Sequence, residues 1–416
     1  MGARWTFGSH MPRAGSPTVA AYFRDYYDKV LLIAPDNLLL YAPLDGDTED
    51  ASGNDNTPST ESGGIIYPSY LVAPNGSQCV QLAEATTNYA LNPSGEAADN
   101  WGALGDATVT PNDDTYALVG SKCIKVVTTA ATNDGVSATL STLSNAIHYV
   151  TVWMRGDSWP AAKQEWSLDG SNWNTPSELA QDDSWTLFGF QFPAAQANGS
   201  TTFRIRQTDA VARTVYLDCL QPEAKEHPTC FCDGSLGDSH SWSGTAHNST
   251  SSRTATSLIY DADAAGISEA EGTFAAWVML PFTPGDNTTN SEIFAWWDTN
   301  GTETIFLNVH TSGALRYYIY AGSTNQVSFQ YDITSWKPFE WHHVVAVWKE
   351  NDCRLYVDGV RVKHDTNCAM PTIASTDFTV GSRPPSVDFW LNGWLAHLAV
   401  WNRALDAAEI EYISAP

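Results

Sequence analysis

Trp341-His342-His343-Val344-Val345-Ala346-Val347-Trp348-Lys349-Glu350-Asn351-Asp352-Cys353-Arg354-Leu355-Tyr356-Val357-Asp358-Gly359-Val360-Arg361-Val362 is the stretch from which the fold can be read. In an extended chain Val344, Ala346 and Trp348 share one face, and His343, Val345 and Val347 share the other. Leu355-Tyr356-Val357 then meets Asp358-Gly359, a dipeptide suited to a two-residue hairpin turn that needs positive φ. Apolar residues on both faces predict a central strand pair covered by a second sheet.

Composition agrees with an all-β chain. Of 416 residues only 16% are charged, and the length suits two or three domains, each with its own core. The formal charge of −26 argues against nucleic acid or an anionic membrane as partner, and no apolar run is long enough to insert in a bilayer. Seven cysteines are an odd number, so at least one thiol is free or pairs between chains. Cys123, Cys219 and Cys353 sit in strand-like runs with Cys368 close behind, where disulfides and buried thiols are both open.

The flanks of the opening stretch carry a resemblance. Gly272-Thr273-Phe274-Ala275-Ala276-Trp277-Val278 lies upstream, and Phe378-Thr379-Val380-Gly381, Asn392-Gly393-Trp394-Leu395 and Val400-Trp401-Asn402-Arg403-Ala404-Leu405 lie downstream. Closed by Ala408-Glu409-Ile410, this order resembles the laminin-G-like, concanavalin-A-like jelly roll over residues 254–416. The resemblance implies a two-sheet sandwich that usually binds glycans or proteins and only sometimes hydrolyses them.

Residues 1–36 are read as an arm. Met1 to Ser16 lacks the continuous apolar core of a secretory signal, and Gly8-Ser9-His10-Met11 resembles an expression-vector junction. From Pro17 to Leu32, Val19, Phe23, Tyr26, Tyr27 and Val30 recur at helical spacing. That short amphipathic helix either packs on its own sandwich or docks on an oligomer partner. Residues 37–84 open with a strand and an acidic loop, Asp45 to Asn56, similar to the first strands of a laminin-G-like domain. Either the jelly roll begins near Leu38 and resumes near Thr254 after an insertion, or a separate small unit precedes it.

The interruption, residues 85–225, is itself similar to a known module. Thr87 to Glu96, Trp101 and Gly120 to Val126 resemble the carbohydrate-binding, galactose-binding-like β-sandwich. Short strands are expected at His148 to Arg155, Trp185 to Phe192, Phe203 to Arg206 and Val215 to Asp218. Residues 226–253 are read as a linker; with Asp218 to Glu223, the run through Arg253 resembles one found in bacteriophage tail and surface proteins.

Glycan recognition needs flat apolar faces for sugar rings and planar hydrogen-bond partners for hydroxyls. In the inserted module Trp159, Trp166 and Trp173, with Asp169 and Asn172, lie in turn-rich sequence and are expected to be more exposed than Trp153 or Trp185. In the jelly roll the comparable set is Trp297, Tyr318 and Tyr320; the two tyrosines share a strand face while Tyr317 points the other way. For every one of these side chains plain packing is the competing reading. Asp45, Asp47, Asp50 and Asn54 offer oxygens at the short spacing a calcium ion needs, although His397 stands after Gly393-Trp394-Leu395-Ala396, where calcium-binding relatives often carry an acid.

Catalysis is not expected. The E-x-D-x-x-E string of glycosidases on this fold is absent, as are G-x-S-x-G, H-E-x-x-H and a phosphate-cradling loop. His342 and His343 alternate across a strand and cannot chelate one ion together. The sequence thus predicts an all-β protein of two antiparallel β-sandwich jelly-roll domains, one inserted in the other, plus a short N-terminal helix. Its expected role is adhesive and non-enzymatic, at the surface of a phage virion as decoration or tail-fibre protein. Its expected partners are cell-surface or environmental glycans, other virion proteins and copies of itself, a trimer being favoured. The alternatives are a secreted bacterial adhesin or polysaccharide-binding accessory module and, third, a glycoside hydrolase.

Overall fold

The computed structural model describes residues 29–416 except 63–64, 69–70, 72, 75–76, 182–183, 299, 384–388 and 416. The helix expected over 17–32 lies mostly outside the described residues; its last turn, 29–32, is helical. The chain divides into two compact units, one formed by 1–84 with 255–416 and the other by 85–254.

The first unit is a sandwich of two antiparallel seven-stranded sheets. One sheet runs in the order Leu38–Ala42, Gly393–Trp401, Glu271–Met279, Trp341–Lys349, Cys353–Val357, Val360–Asp365, with Val80–Leu82 also pairing to Gly393–Trp401. The other runs Thr60–Ser62, Ser257–Asp261, Asp377–Val380, Ser291–Trp297, Thr304–His310, Ala314–Ala321, Thr324–Asp332. Because Leu38–Ala42 is hydrogen-bonded along Gly393–Trp401, the sandwich is assembled from both sides of the 85–254 interruption.

Alternation decides what lies between the sheets. Val344, Ala346 and Trp348 point into the core against Phe294 and Phe378, and Phe274 stacks on Phe294 with centroids 4.3 Å apart. Asp358 and Gly359 both adopt positive φ, and Val357 pairs directly with Val360, so the turn is the two-residue type the dipeptide favours. One expectation fails here: the returning arm, Val360–Asp365, is a largely exposed sheet edge rather than half of a central pair. Lys363, Arg361 and Asp365 on that edge discourage pairing with another chain.

The second face of Trp341–Lys349 is covered by chain that is not sheet. His343 Nδ1 lies 2.7 Å from Ser414 Oγ in the C-terminal helix Ala407–Ser414. Asp406 caps that helix in a reciprocal capping box with Glu409. On the same side Tyr41 Oη sits 2.9 Å from His397 Nδ1, and Ser77 Oγ 3.3 Å from His397 Nε2. Burial pushes the His343 pKa down to about 4, against a weaker pull from Asp358, and burial reinforced by His343 pushes His397 down to about 3. His397 is therefore held neutral and is a poor proton acceptor.

The inserted unit has a six-stranded and a four-stranded antiparallel sheet, together with a three-stranded one. The expected strands appear as His148–Gly156, Thr186–Phe192, Thr202–Gln207 and Thr214–Glu223. Residues 226–253, read as a linker on their resemblance to one in bacteriophage surface proteins, are instead part of this unit. His240–Trp242 and Ser251–Arg253 pair with each other, and the latter with Thr86–Asn88. Asn88 Nδ2 donates to Cys232 O at 2.9 Å, and Arg253 Nη1 donates to Cys230 O at 2.6 Å. Polar side chains here satisfy buried backbone groups. All seven cysteines are buried thiols; Cys353 and Cys368 place their Sγ atoms 2.7 Å apart.

Two outcomes are expected. Gly272 is in register with Trp348, and a Cβ there would lie 2.2 Å from the indole Cζ2. Gly272→Val should therefore destabilise the jelly roll by about 1–3 kcal/mol in a denaturant titration. The second concerns pH: unfolded histidines bind protons below about 6.5, whereas folded His343 and His397 do so only well below that. Their contribution is intact above that pH and lost as pH falls towards 4, about 1–2 kcal/mol for each by pH 5. His342, whose bonds to Asp358 and Glu340 outweigh its burial and raise its pKa, opposes this in part. Urea midpoints of the full chain at pH 7 and pH 5 should show a net fall, reduced in His343→Gln.

Candidate functional site

The expected aromatic residues fall into two groups. Trp166 is fully buried, its ring edge-on to Phe203 at 5.2 Å and its Nε1 donating to Gln164 Oε1 at 3.0 Å. Trp159 is 4% exposed and donates to Lys163 O. The expectation that both are exposed platforms is corrected: Gln164–Ser167 is a strand, and its alternation turns Trp166 into the core. Trp173 is half-buried with Arg206 stacked 3.7 Å over its ring, and Arg206 is itself ion-paired to Glu165 at 2.6 Å, so that face is occupied. Asp169 and Asn172 build a turn. Burial works against the Asp169 charge, but hydrogen bonds from Asn172, Ser171 and Ser167 outweigh it and hold the carboxyl below its ordinary range.

Beside these residues the inserted unit has a cleft of about 440 Å³ lined by Arg155, Asp157, Trp159, Glu178, Gln181 and Phe188 among others. Arg155 stacks on Tyr116 at 3.9 Å, and Asp157 Oδ2 accepts from Thr214 N, which ties both to the framework.

The jelly-roll group converges. On the face of the second sheet turned away from the core, Trp297, Phe306, Tyr318 and Tyr320 form a continuous aromatic row. Ring centroids are 5.5 Å apart for Trp297 and Phe306, 5.4 Å for Phe306 and Tyr318, and 6.1 Å for Tyr318 and Tyr320. The last two pairs are stacked, at 7° and 15°. Strand pairing produces the row, since Phe306 is opposite Tyr318 and Thr304 is opposite both Trp297 and Tyr320. Tyr317, one residue away, is fully buried between the sheets and donates to Val347 O at 3.1 Å.

Polar groups frame the row. Gln330 Nε2 donates to Tyr318 Oη at 3.0 Å, Arg316 lies 5.0 Å over the Tyr318 ring, and Arg383 lies 4.8 Å over that of Trp297. The nearby carboxylates hold the framework. Asp298 accepts from Thr302 and Glu303 backbone N–H groups, Glu303 from those of Gly322 and Thr372, and Glu292 from Asn308 Nδ2 at 3.1 Å. Phe306, Asn308 and Arg316 were not singled out from sequence, although their alternation with Ile305, Leu307, Leu315 and Tyr317 was visible there.

The acidic loop does not gather into a cage. Asp50 accepts from Tyr41 N, Ser52 N, Ser52 Oγ and Asn56 N, and Asn54 Nδ2 donates to Leu38 O at 2.7 Å. Asp45 has its pKa raised by partial desolvation and, more weakly, by Asp47. Among the described residues no three His, Cys, Asp or Glu side chains converge as a metal site.

With this geometry in place, comparison with known proteins adds a family. Residues 253–411 match the concanavalin A-like lectin/glucanases superfamily. Solved structures that match include the binding domain of botulinum neurotoxin serotype D, at TM-score 0.31 and 9% identity over 38% of this chain and 40% of that one. Another is the serotype D ligand-binding domain in complex with N-acetylneuraminic acid, at 0.31 and 10%, covering 38% and 39%. The type G receptor-binding domain matches at 0.30 and 13%, covering 38% and 40%. The present chain spans about two-fifths of the length of these chains, and such remote likeness says nothing about its ligand. No curated protein matches the sequence.

The division of the tryptophans into core and surface can be checked directly. Trp166→Ala should destabilise the inserted unit by about 3–5 kcal/mol in denaturant melts, whereas Trp173→Ala should cost no more than about 1 kcal/mol.

Proposed function

We propose that this protein is a non-enzymatic glycan-binding adhesin whose binding face is the aromatic row Trp297, Phe306, Tyr318 and Tyr320. The observation that supports this most is that row itself: four rings, edge by edge, on the outward face of a lectin-like sandwich. Pyranose rings present C–H faces that pack on aromatic rings, while amide and guanidinium groups alongside bond the hydroxyls. Phe306 and Tyr318 are themselves mostly covered, and Trp297 and Tyr320 are half-buried, so the two ends would make most of the direct contact.

The family also contains glucanases, but this sequence lacks their paired-acid string and the carboxylates beside the row hold backbone groups in place. The finer part of the proposal is display on a phage virion, as decoration or tail fibre and as a homotrimer among other virion proteins. It is supported by the resemblance of residues 218–253 to tail and surface proteins, and weak single sites would then add by avidity.

A glycan array probed with the full chain should give signals that fall roughly tenfold, equivalent to about 1.4 kcal/mol, in Trp297→Ala/Tyr320→Ala. Equal binding by that variant would move the site elsewhere, and release of new reducing ends from any bound oligosaccharide would replace the adhesin by a hydrolase. Light scattering on the purified chain tests the trimer.

A further inference from the structure

The aromatic row leaves unexplained the polar row beside it. Glu292, Asn308, Arg316 and Gln330 lie side by side across four adjacent strands: Glu292 is in register with Asn308, Asn308 with Arg316, and Arg316 with Gln330. Strand alternation puts them on the same sheet face as Phe306 and Tyr318. Asn308 is 2% exposed, and although its amide nitrogen donates to Glu292, its Oδ1 is buried without a hydrogen-bond partner among the described residues. Thr304, fully buried between Trp297 and Tyr320 in register, has an Oγ1 in the same condition. A buried polar group left unpaired costs about 1–3 kcal/mol, so a cluster of them needs a reason.

Arg316 is the third such group. Its Nε is buried with no partner, and its guanidinium forms no ion pair with a described residue; its recorded ring contact is Tyr318. Arg206 pairs with Glu165, Arg213 with Asp209 and Arg403 with Glu409, whereas Arg155, like Arg316, stacks on a tyrosine. In a chain with 47 acidic residues against 21 basic ones, Arg316 has no carboxylate within ion-pair distance among the described residues. Asp332 shares this face, pairing with Ala314 two residues before Arg316 and accepting from Thr334. Glu292 is separated from Arg316 by Asn308, and His310, with its pKa lowered by burial and then by Arg316, is neutral.

We propose that the aromatic face selects carboxylated sugars, with the part-exposed guanidinium of Arg316 pairing the sugar carboxylate. The inference rests on the glycan-binding reading and specifies its ligand class. A guanidinium meets a carboxylate through two parallel N–H···O bonds of about twice the strength of neutral ones, which sulfur-free neutral sugars cannot supply. The aromatic row then contributes stacking that acidic and neutral sugars share.

The test uses the full chain and oligosaccharides ending in galacturonate, glucuronate or N-acetylneuraminate, each beside its carboxyl-reduced counterpart, with binding measured by calorimetry or saturation-transfer NMR. At least one acidic probe should bind roughly tenfold more tightly than its reduced form. Arg316→Gln should bring the affinity for the acidic probe down to that for its reduced form, and Arg316→Lys should restore part of the difference. Unchanged melting curves establish that the variants fold. Equal binding of acidic and reduced probes by the natural sequence, or a preference that survives Arg316→Gln, overturns the selection but leaves glycan binding standing. Failure of every probe, together with an empty glycan array, overturns both.

Discussion

Everything in the jelly roll depends on the strands Glu271–Met279 and Trp341–Lys349 being buried on both faces. They are hydrogen-bonded to each other over nine residue pairs, from Glu271–Lys349 to Met279–Trp341. Such a pair presents apolar side chains to two sides and is stable only if both are covered. One cover is the second sheet, reached through Phe274, Phe294 and Phe378. The other is the C-terminal helix with the Tyr41–His397 contact, which draws in chain from both ends of the sequence. The first strand and the last are thereby committed to one sheet, and a long interruption between them is tolerated because its two ends, near Glu84 and Ala255, leave the same sandwich.

The second sheet is in a different position. Its core face is matched by the first sheet, and its outward face carries a second aromatic cluster in which Phe306 and Tyr318 are buried and Trp297 and Tyr320 half-buried. A polar residue at Phe306 or Tyr318 would satisfy strand alternation equally well. Rings stacked at 7° and 15° on that face make a stiff surface with little side-chain entropy left to lose, which is what a weak, shape-tolerant binding site requires. The glycan reading draws its support from the two accessible ends of that row, Trp297 and Tyr320.

The sequence was legible where alternation was clean. Val344, Ala346 and Trp348 against His343, Val345 and Val347 could be placed on their faces directly, and the Asp358-Gly359 turn followed from its need for positive φ. Tyr317 and Tyr318 were separable for the same reason. Reading failed where a short strand was hidden among turn-forming residues. Gln164–Ser167 is flanked by Pro160 and Asp169-Gly170-Ser171-Asn172, so Trp166 looked like a loop residue although its neighbours in space, Phe203 and Ile205, are far off in sequence. The resemblance to a linker misled over 226–253, where buried Asn88, Gln221 and Arg253 pair the backbone of Cys230 and Cys232. Partners supplied from distant strands leave no local mark.

The net charge sharpens the case for a local cation. At −26 the whole chain repels an acidic polysaccharide at long range, yet that repulsion is screened over about 8 Å at physiological salt. A guanidinium in contact with the ligand acts inside that distance, in surroundings of lower dielectric, and is screened far less. Long-range charge therefore governs how fast an acidic glycan arrives, whereas Arg316 governs whether it stays. A neutral residue at that position would leave the Tyr318 end of the row without a cation, with Arg383 remaining at the Trp297 end.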